Sequence, residues 1–267
     1  MDNENKVAIV VGGSSGIGYH TALKLFESGY IVYNFSRTKA DFDGIASMTV
    51  DVEQSETIER AVNDVAQKEG RIDVLVYSAG YSMAAPVQHA KQKDVRRLFE
   101  INYFGALETV QCVLPVMRDS GGGRIILISS MGGVMPIAFD SFYSSSKAAL
   151  DMLAKGLNIE ADPFGIRATS VQPGGVATRF TFKRNVYSEN DVGDYADALR
   201  KATIKLEQTE QGGMKPEDAA EDIMKIINAK NPPATKAIGI KNKSFKLAKK
   251  LLPERLADSI NRNMYLS

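Results

Sequence analysis

The sequence predicts an α/β fold in which helices cover both faces of one doubly wound parallel sheet. Short apolar runs alternate along the chain with longer helical patterns, and most of the runs are continuous and β-branched. Continuous apolar runs are typical of strands that are buried on both faces. Repeated alternation of strand and helix requires crossovers between parallel strands. A glycine-rich turn between the first run and the first helical pattern points to the same fold class.

The predicted elements follow one another without an interruption that would divide the chain. Strands are predicted at residues 7–11, 31–35, 47–50, 74–77, 125–128 and 168–171. Helices are predicted at residues 18–28, 55–68, 91–118 and 144–163. With no internal repeat, low-complexity block or linker, we expect a single domain over residues 1–267. Ligands of such a sheet bind beyond the carboxyl ends of its strands.

The composition excludes several classes of protein. The net charge of +1 gives no general attraction to nucleic acid. The apolar stretches fall far short of the roughly 20 residues that cross a bilayer, and the polar N-terminus argues against a secretory signal. The single cysteine, Cys112, excludes an internal disulfide and fits a reducing, cytoplasmic location. His20 and His89 lack the spacing of metal ligands, so no metal site is expected.

The turn after the first strand has the features of a phosphate-binding loop. Glycines permit a tight turn and let backbone N–H groups approach a pyrophosphate, which the following helix N-terminus favours electrostatically. The position between the first strand and the first helix is the one that a dinucleotide-binding turn requires. The contacts expected here come from Gly12, Ser14, Ser15, Gly16, Ile17 and Gly18.

The end of the second strand indicates which dinucleotide binds. An acidic residue there would bind the ribose hydroxyls of NAD and repel a 2′-phosphate. This chain has Ser36 and Arg37 instead, a hydroxyl donor and a fixed cation that suit a phosphate. Arg37 could also be an ordinary solvated arginine, but the pattern favours NADP(H).

Four polar residues form a candidate catalytic set. Tyr143 and Lys147 are four apart and share a helix face, where an ammonium can stabilise a phenolate and let Tyr143 exchange a proton with a substrate oxygen. Ser130 could bind the substrate carbonyl and stabilise negative charge as hydride arrives. Asn102 is an unusual residue for the middle of a helical pattern unless its side chain has a task.

These motifs resemble the short-chain dehydrogenase/reductase family over roughly residues 5–180. Asn102, Ser130, Tyr143 and Lys147 match the family's catalytic tetrad in order and approximate spacing. The resemblance implies a Rossmann-type fold and hydride transfer between nicotinamide and a carbonyl or alcohol. It also implies that Tyr143 is the acid/base, that Ser130 and Tyr143 contact the substrate, and that Asn102 organises a water chain to Lys147.

The resemblance also implies cofactor contacts beyond the glycine turn. Residues 172–178 are similar to the family's Pro-Gly segment, in which Thr178 would hold the nicotinamide carboxamide, and residues 51–52 would flank adenine. The implied contacts are Asp51, Val52, Ser78, Ala79, Gly80, Tyr143, Lys147, Pro173, Gly174, Val176 and Thr178. Val11 and Tyr77 depart from the family pattern and predict weaker cofactor affinity, because they replace a hydroxyl and a small polar group.

The sequence after Thr178 predicts the substrate side. We expect a lid over about residues 179–213, and an apolar pocket or ordinary core packing from Met131, Met135, Phe139, Phe142 and Phe180. A C-terminal extension over about residues 233–267 is similar to that of hydroxysteroid and retinol dehydrogenases. Its lysine-rich part, residues 236–250, could close the pocket as a solvated helix or make weak contact with an anionic membrane surface.

The leading hypothesis is an NADP(H)-dependent oxidoreductase that interconverts a hydrophobic ketone or aldehyde and an alcohol. One alternative is a 3-oxoacyl-type reductase of lipid synthesis. Another is a non-catalytic NADP(H)-sensing regulator on the same fold, which the presence of both Tyr143 and Lys147 disfavours. The resemblance further implies a homodimer or homotetramer through the two long predicted helices.

Overall fold

A computed structural model describes residues 5–40, 42–239, 242, 244 and 253–266. The strands, in chain order, are β1 Val7–Val11, β2 Ile31–Ser36, β3 Ala46–Thr49, β4 Val74–Tyr77, β5 Met83–Ala84, β6 Gly123–Ile128, β7 Ile166–Gln172, β8 Asn185–Val186 and β9 Thr235–Ala237. The α-helices are α1 Gly16–Glu27, α2 Ser55–Glu69, α3 Gln92–Phe99, α4 Gly105–Asp119, α5 Ser141–Glu160, α6 Glu189–Val192, α7 Ala196–Gln211, α8 Pro216–Ile227 and α9 Glu254–Leu266.

The central sheet confirms the predicted doubly wound fold. Within the described residues, seven parallel strands pair in the order β3-β2-β1-β4-β6-β7-β9. The chain winds outward from β1 to one edge and from β4 to the other, so the strand order reverses between these two strands. A crevice forms at such a reversal, beyond the carboxyl ends of the strands.

Both faces of the sheet are buried, which explains the continuous apolar runs. Successive residues of β1 point to opposite faces. Ile9 packs in the cluster beneath α2, α4 and α5, whereas Val10 packs in the cluster formed with α1 and α8. Full burial of one such aliphatic side chain stabilises the fold by about 1.5–3 kcal/mol. The core therefore fixes the strand ends from which the functional residues extend.

The helix predicted over residues 91–118 is divided by a π-helical turn, Glu100–Phe104. Within this turn the Gly105 N–H donates to the Glu100 carbonyl, five residues back. The buried Tyr77 hydroxyl donates to the Ile101 carbonyl at 2.6 Å, and a Cβ on Gly105 would lie 2.7 Å from that hydroxyl. Tyr77 therefore points into the core beneath the π turn. Its bulk gives no structural reason to expect weaker cofactor affinity.

Replacing Tyr77 with Phe is expected to lower the free energy of unfolding by about 1–2 kcal/mol, because a buried carbonyl loses its hydroxyl donor. Urea unfolding followed by circular dichroism would measure the change. Tyr195→Phe is the matched control, since the Tyr195 hydroxyl is exposed and lies 3.3 Å from Gln88. Equal stability of the two variants would mean that the Tyr77 hydroxyl contributes nothing to the π turn.

The structure differs from the predicted elements at the start of α5 and in the C-terminal segment. Helix α5 begins at Ser141, three residues earlier than predicted, so Tyr143 lies in its first turn. Strand β9 pairs with β7, so the predicted C-terminal extension begins inside the sheet. Five of the lysines predicted to form a basic segment, Lys241, Lys243, Lys246, Lys249 and Lys250, lie outside the described residues.

The predicted lid folds as α6, α7 and the short strand β8, which pairs with β5. Along the described part of the chain, no helix is long and apolar enough to cross a membrane. Helix α5 exposes Met152 and Ile159 on its outer face. The predicted homodimer or homotetramer would cover such residues, and it stays a prediction.

Candidate active site

A cavity of about 1360 Å³ lies at the carboxyl ends of the strands. Nearly all the predicted cofactor contacts line it: Gly12, Ser14, Ser15, Gly16, Ile17, Ser36, Arg37, Asp51, Val52, Ser78, Ala79, Gly80, Tyr143, Lys147, Pro173, Gly174, Val176 and Thr178. Gly18 is the exception, because it is buried beneath the turn. Residues that are distant in sequence thus meet in one cavity.

The glycine turn has the close backbone approach that its sequence predicts. Gly12 has a φ of +81°, and a Cβ at this position would lie 2.5 Å from the Ala79 nitrogen. Gly16 also has a positive φ, of +60°. A Cβ on Gly18 would lie 2.6 Å from the Gly12 carbonyl oxygen. Gly18 therefore lets the helix pack closely against the turn, and its contact with the cofactor stays a prediction.

Arg37 projects from the end of β2 beside two other charged residues. Its guanidinium Nη1 lies 4.0 Å from Glu53, and its side chain is 61% exposed. Arg97 donates two hydrogen bonds to Glu53, at 2.9 and 3.1 Å. The Ser36 hydroxyl donates to the Thr38 carbonyl at 2.7 Å. Arg37 is therefore better placed than Ser36 to meet a phosphate, and Arg97 is a cavity residue that the sequence analysis missed.

Three of the four predicted catalytic residues meet at the inner end of the cavity. Tyr143 and Ser130 both line the cavity there, and the Ser130 side chain lies near enough to lower the pKa of Tyr143. The Ser130 oxygen accepts from the Gly132 N–H at 3.0 Å, which fixes its position. Lys147 Nζ lies 5.6 Å from the centre of the Tyr143 ring and donates to the Ile128 carbonyl at 2.8 Å. This arrangement presents two hydroxyls and one ammonium to the same small volume.

Burial dominates the acid–base properties of this group. It raises the pKa of Tyr143 above its ordinary value, while the hydrogen bond from Ser130 acts in the opposite direction. Burial also lowers the pKa of Lys147 to about 8, against the attraction of Asp151. The spacing of Tyr143 and Lys147 predicts that the lysine ammonium stabilises a phenolate. The larger effect in the structure is desolvation, which opposes phenolate formation.

Asn102 lies in the π turn and outside the cavity lining. Its amide oxygen accepts from the Tyr81 N–H at 3.0 Å, and its nitrogen donates to the Tyr81 carbonyl at 2.9 Å and to the Ser146 hydroxyl at 3.1 Å. A Cβ on Gly80 would lie 3.0 Å from the Asn102 oxygen and 3.4 Å from Lys147 Nζ. Asn102 thus fixes the loop that separates it from Lys147.

Comparison with known proteins agrees with this geometry. A family model described as short chain dehydrogenase matches residues 6–187. The chain belongs to the short chain dehydrogenase family. It is 35% identical over 265 residues to a 3-ketodihydrosphingosine reductase of Bacteroides thetaiotaomicron, covering 97% of this chain and 98% of the relative.

Two further proteins are similar to this short chain dehydrogenase along nearly its whole length. An NADPH-dependent 3-dehydrocapnine reductase of Ornithobacterium rhinotracheale is 29% identical, with 96% of this chain and 95% of the relative covered. The crystal structure of a short-chain dehydrogenase from Streptomyces avermitilis superposes with a TM-score of 0.81 at 30% identity, covering 97% of this chain and 95% of that one. Both matches include the segment beyond residue 187.

The substrate side of this short chain dehydrogenase is only partly the pocket that the sequence predicts. Met131, Met135 and Phe180 line the cavity. Phe139 and Phe142 pack instead against the neighbouring apolar cluster. Other lining residues were missed: Tyr81, Ile137, Lys183, Asn185, Leu206, Thr209, Glu210, Asn242 and Tyr265. No motif marks them, because their positions depend on tertiary packing between segments that are distant in sequence.

Proposed function

We propose that this chain is an NADP(H)-dependent oxidoreductase that reduces a ketone in a largely apolar molecule, with Tyr143 as the acid/base. The observation that carries the proposal is the Ser130–Tyr143 hydroxyl pair beside Lys147. It lies in the same cavity as a glycine turn and the exposed guanidinium of Arg37. Such a cavity can hold a dinucleotide and a carbonyl compound together.

The residues of the cavity fit the cofactor. The absence of a Cβ on Gly12 lets the turn pack against Ala79, and a glycine turn at a helix N-terminus offers backbone N–H groups to a phosphate. The end of β2 carries the exposed guanidinium of Arg37 and no carboxylate. When bound, the reduced nicotinamide supplies the hydride. The NADPH dependence in the name of the Ornithobacterium relative supports the same choice of cofactor.

The chain's own residues have separate tasks in the proposed reaction. The hydroxyls of Ser130 and Tyr143 donate hydrogen bonds to the carbonyl oxygen and stabilise the negative charge that develops there. Tyr143 then gives its proton to that oxygen, and the Lys147 ammonium stabilises the resulting phenolate. Asn102 holds the Gly80–Tyr81 loop against Lys147. The water chain expected at Asn102 stays a prediction.

Two observations support a ketone in an apolar molecule. Met131, Met135 and Phe180 give the substrate side of the cavity an apolar wall, and such walls bind apolar parts of a ligand. The names of the relatives specify reductases of a 3-keto and a 3-dehydro compound. The 3-oxoacyl alternative also places the reacting group at position 3 and therefore belongs in the same test.

The decisive experiment measures NADPH and NADH binding, then follows cofactor absorbance with a panel of ketones. The panel contains 3-ketodihydrosphingosine, a 3-oxoacyl thioester and a steroid ketone. We expect tighter binding of NADPH than of NADH and oxidation of NADPH with at least one long-chain ketone. Tight binding without turnover would favour the regulator hypothesis, whereas failure to bind either dinucleotide would refute the proposal.

A further inference from the structure

A buried ionic network connects the substrate lid to the helix that carries Tyr143. The Arg184 guanidinium donates from Nε to the Ser82 hydroxyl at 2.9 Å and from Nη2 to the Glu210 carboxylate at 2.5 Å. The Ser82 hydroxyl in turn donates to the Asp140 carboxylate at 2.6 Å. The second Glu210 oxygen accepts from the Thr181 hydroxyl at 2.6 Å. We name these five residues the lid network.

The members of the lid network come from three separate parts of the fold. Thr181, Arg184 and Glu210 belong to the predicted lid, with Glu210 in the last turn of α7. Ser82 precedes β5, and Asp140 precedes the first residue of α5. The Asp140 carbonyl also accepts from the Ser144 N–H at 3.0 Å, within the first turn of α5. The network therefore joins the lid to the turn of helix that contains Tyr143.

Burial of the charges in this network costs free energy of desolvation. The Arg184 side chain is 1% exposed and the Glu210 side chain 13%, while Asp140 is 1% exposed. Arg184 Nη1 has no hydrogen-bond partner among the described residues. The desolvation cost of a buried ion pair often equals or exceeds the attraction between its charges, so stability alone does not explain its presence.

The network also sets the charges around Tyr143. Asp140 and Glu210 raise the pKa of Tyr143, and Arg184 lowers it, in addition to the larger effects of burial and Ser130. Burial raises the pKa of Asp140 itself to about 7, while its bond from Ser82 opposes that rise. The other titratable groups nearby are Lys147, whose ammonium lies over the Tyr143 ring, and Tyr265, which is within electrostatic range of both carboxylates.

We propose that Arg184 is a positioning residue of the proposed reductase, which fastens the lid onto the first turn of α5 and offsets the two buried carboxylates that face Tyr143. The inference rests on the proposed function, since it assigns Arg184 a task in the same site. Arg184 then contributes both to the position of the lid and to the acid–base strength of Tyr143. Arg184 acts through Ser82, Glu210 and the local charge, and its buried side chain does not line the cavity.

The test compares the pH dependence of ketone reduction in Arg184→Met and Asp140→Asn. Reduction requires both protonated Tyr143 and the Lys147 ammonium, so its rate falls as the pH rises through the lower of their two pKa values. Arg184→Met leaves the carboxylates unopposed and should move this alkaline limb to higher pH by about one unit. Asp140→Asn removes one negative charge and should move it to lower pH. Structural damage alone would not move the two variants in opposite directions.

Michaelis constants separate the fastening role from the electrostatic role. Arg184→Met should raise the KM for the ketone by about tenfold, because the lid is no longer held over the substrate. Arg184→Lys keeps the charge but cannot form both bonds of the guanidinium fork, so it should raise KM and leave the alkaline limb in place. Arg200→Met is the matched control, since Arg200 is exposed on α7 and pairs with Asp197, and its kinetics should not change.

The outcomes distinguish this inference from the proposed function. If the wild-type protein reduces no ketone, the proposed function fails. If the wild-type protein is active but the alkaline limbs of Arg184→Met and Asp140→Asn coincide with its own, the inference about Arg184 is wrong. Measurements of NADPH binding and of the thermal midpoint identify a variant that has not folded. If Arg184→Met does not fold, the KM of Arg184→Lys for the ketone tests the inference instead.

Discussion

Tyr143→Phe is expected to lower kcat for ketone reduction by about 10³-fold, within the range that general acid catalysis provides. The substitution removes the phenol oxygen that lies near Ser130 and would donate the proton. Ser130 and Lys147 remain, but neither replaces a hydroxyl at that position. Steady-state kinetics with the best ketone of the panel, supported by single-turnover measurements, would determine the loss.

NADPH binding by the same variant is expected to stay within about twofold of the wild type, because the Tyr143 ring is retained and only one buried oxygen is lost. NADPH quenches the protein fluorescence or accepts energy from it, and a titration followed by this signal gives the dissociation constant. Tyr195→Phe again serves as the control for loss of a phenol oxygen, here with unchanged kinetics expected. Retained turnover in Tyr143→Phe would remove this residue from the mechanism.

The sequence was sufficient for the parts of the molecule that local rules determine. The continuous run in β1, the turn at Gly12 and the helix after it follow from burial and backbone geometry over a few residues. The pair Tyr143 and Lys147 is similarly local, because helical spacing alone puts both on one face. These elements could therefore be placed before any tertiary contact was known.

Other features required the tertiary structure. The π turn at Asn102 is invisible to helical periodicity, because one extra residue in the turn is stabilised from outside by the Tyr77 hydroxyl. Gly18 belongs to the glycine pattern of the turn, yet only the folded turn shows how closely it packs against the Gly12 carbonyl. The Arg184–Glu210 pair joins residues that no motif links. In each case the deciding partner lies far away in sequence or on another element.

The second large effect is expected from reversing the charge at Arg37. Arg37→Asp should lower the ratio of kcat/KM for NADPH to that for NADH by about 10²-fold or more, because a charge-assisted bond to the 2′-phosphate is replaced by repulsion. The same carboxylate could accept hydrogen bonds from the ribose hydroxyls of NADH. Kinetics with each cofactor at constant ionic strength would measure the ratio, since salt screens exposed charges.

Arg60→Asp makes the same change of charge at an exposed position of α2 and should leave the cofactor ratio unchanged. This control separates a bond at the 2′-phosphate from the general electrostatic potential of the surface. An unchanged ratio in Arg37→Asp would mean that another residue holds the 2′-phosphate. Arg97 is then the next residue to test, because its guanidinium also lines the cavity and shares Glu53 with Arg37. The geometry favours Arg37, since Arg97 already donates two hydrogen bonds to that carboxylate.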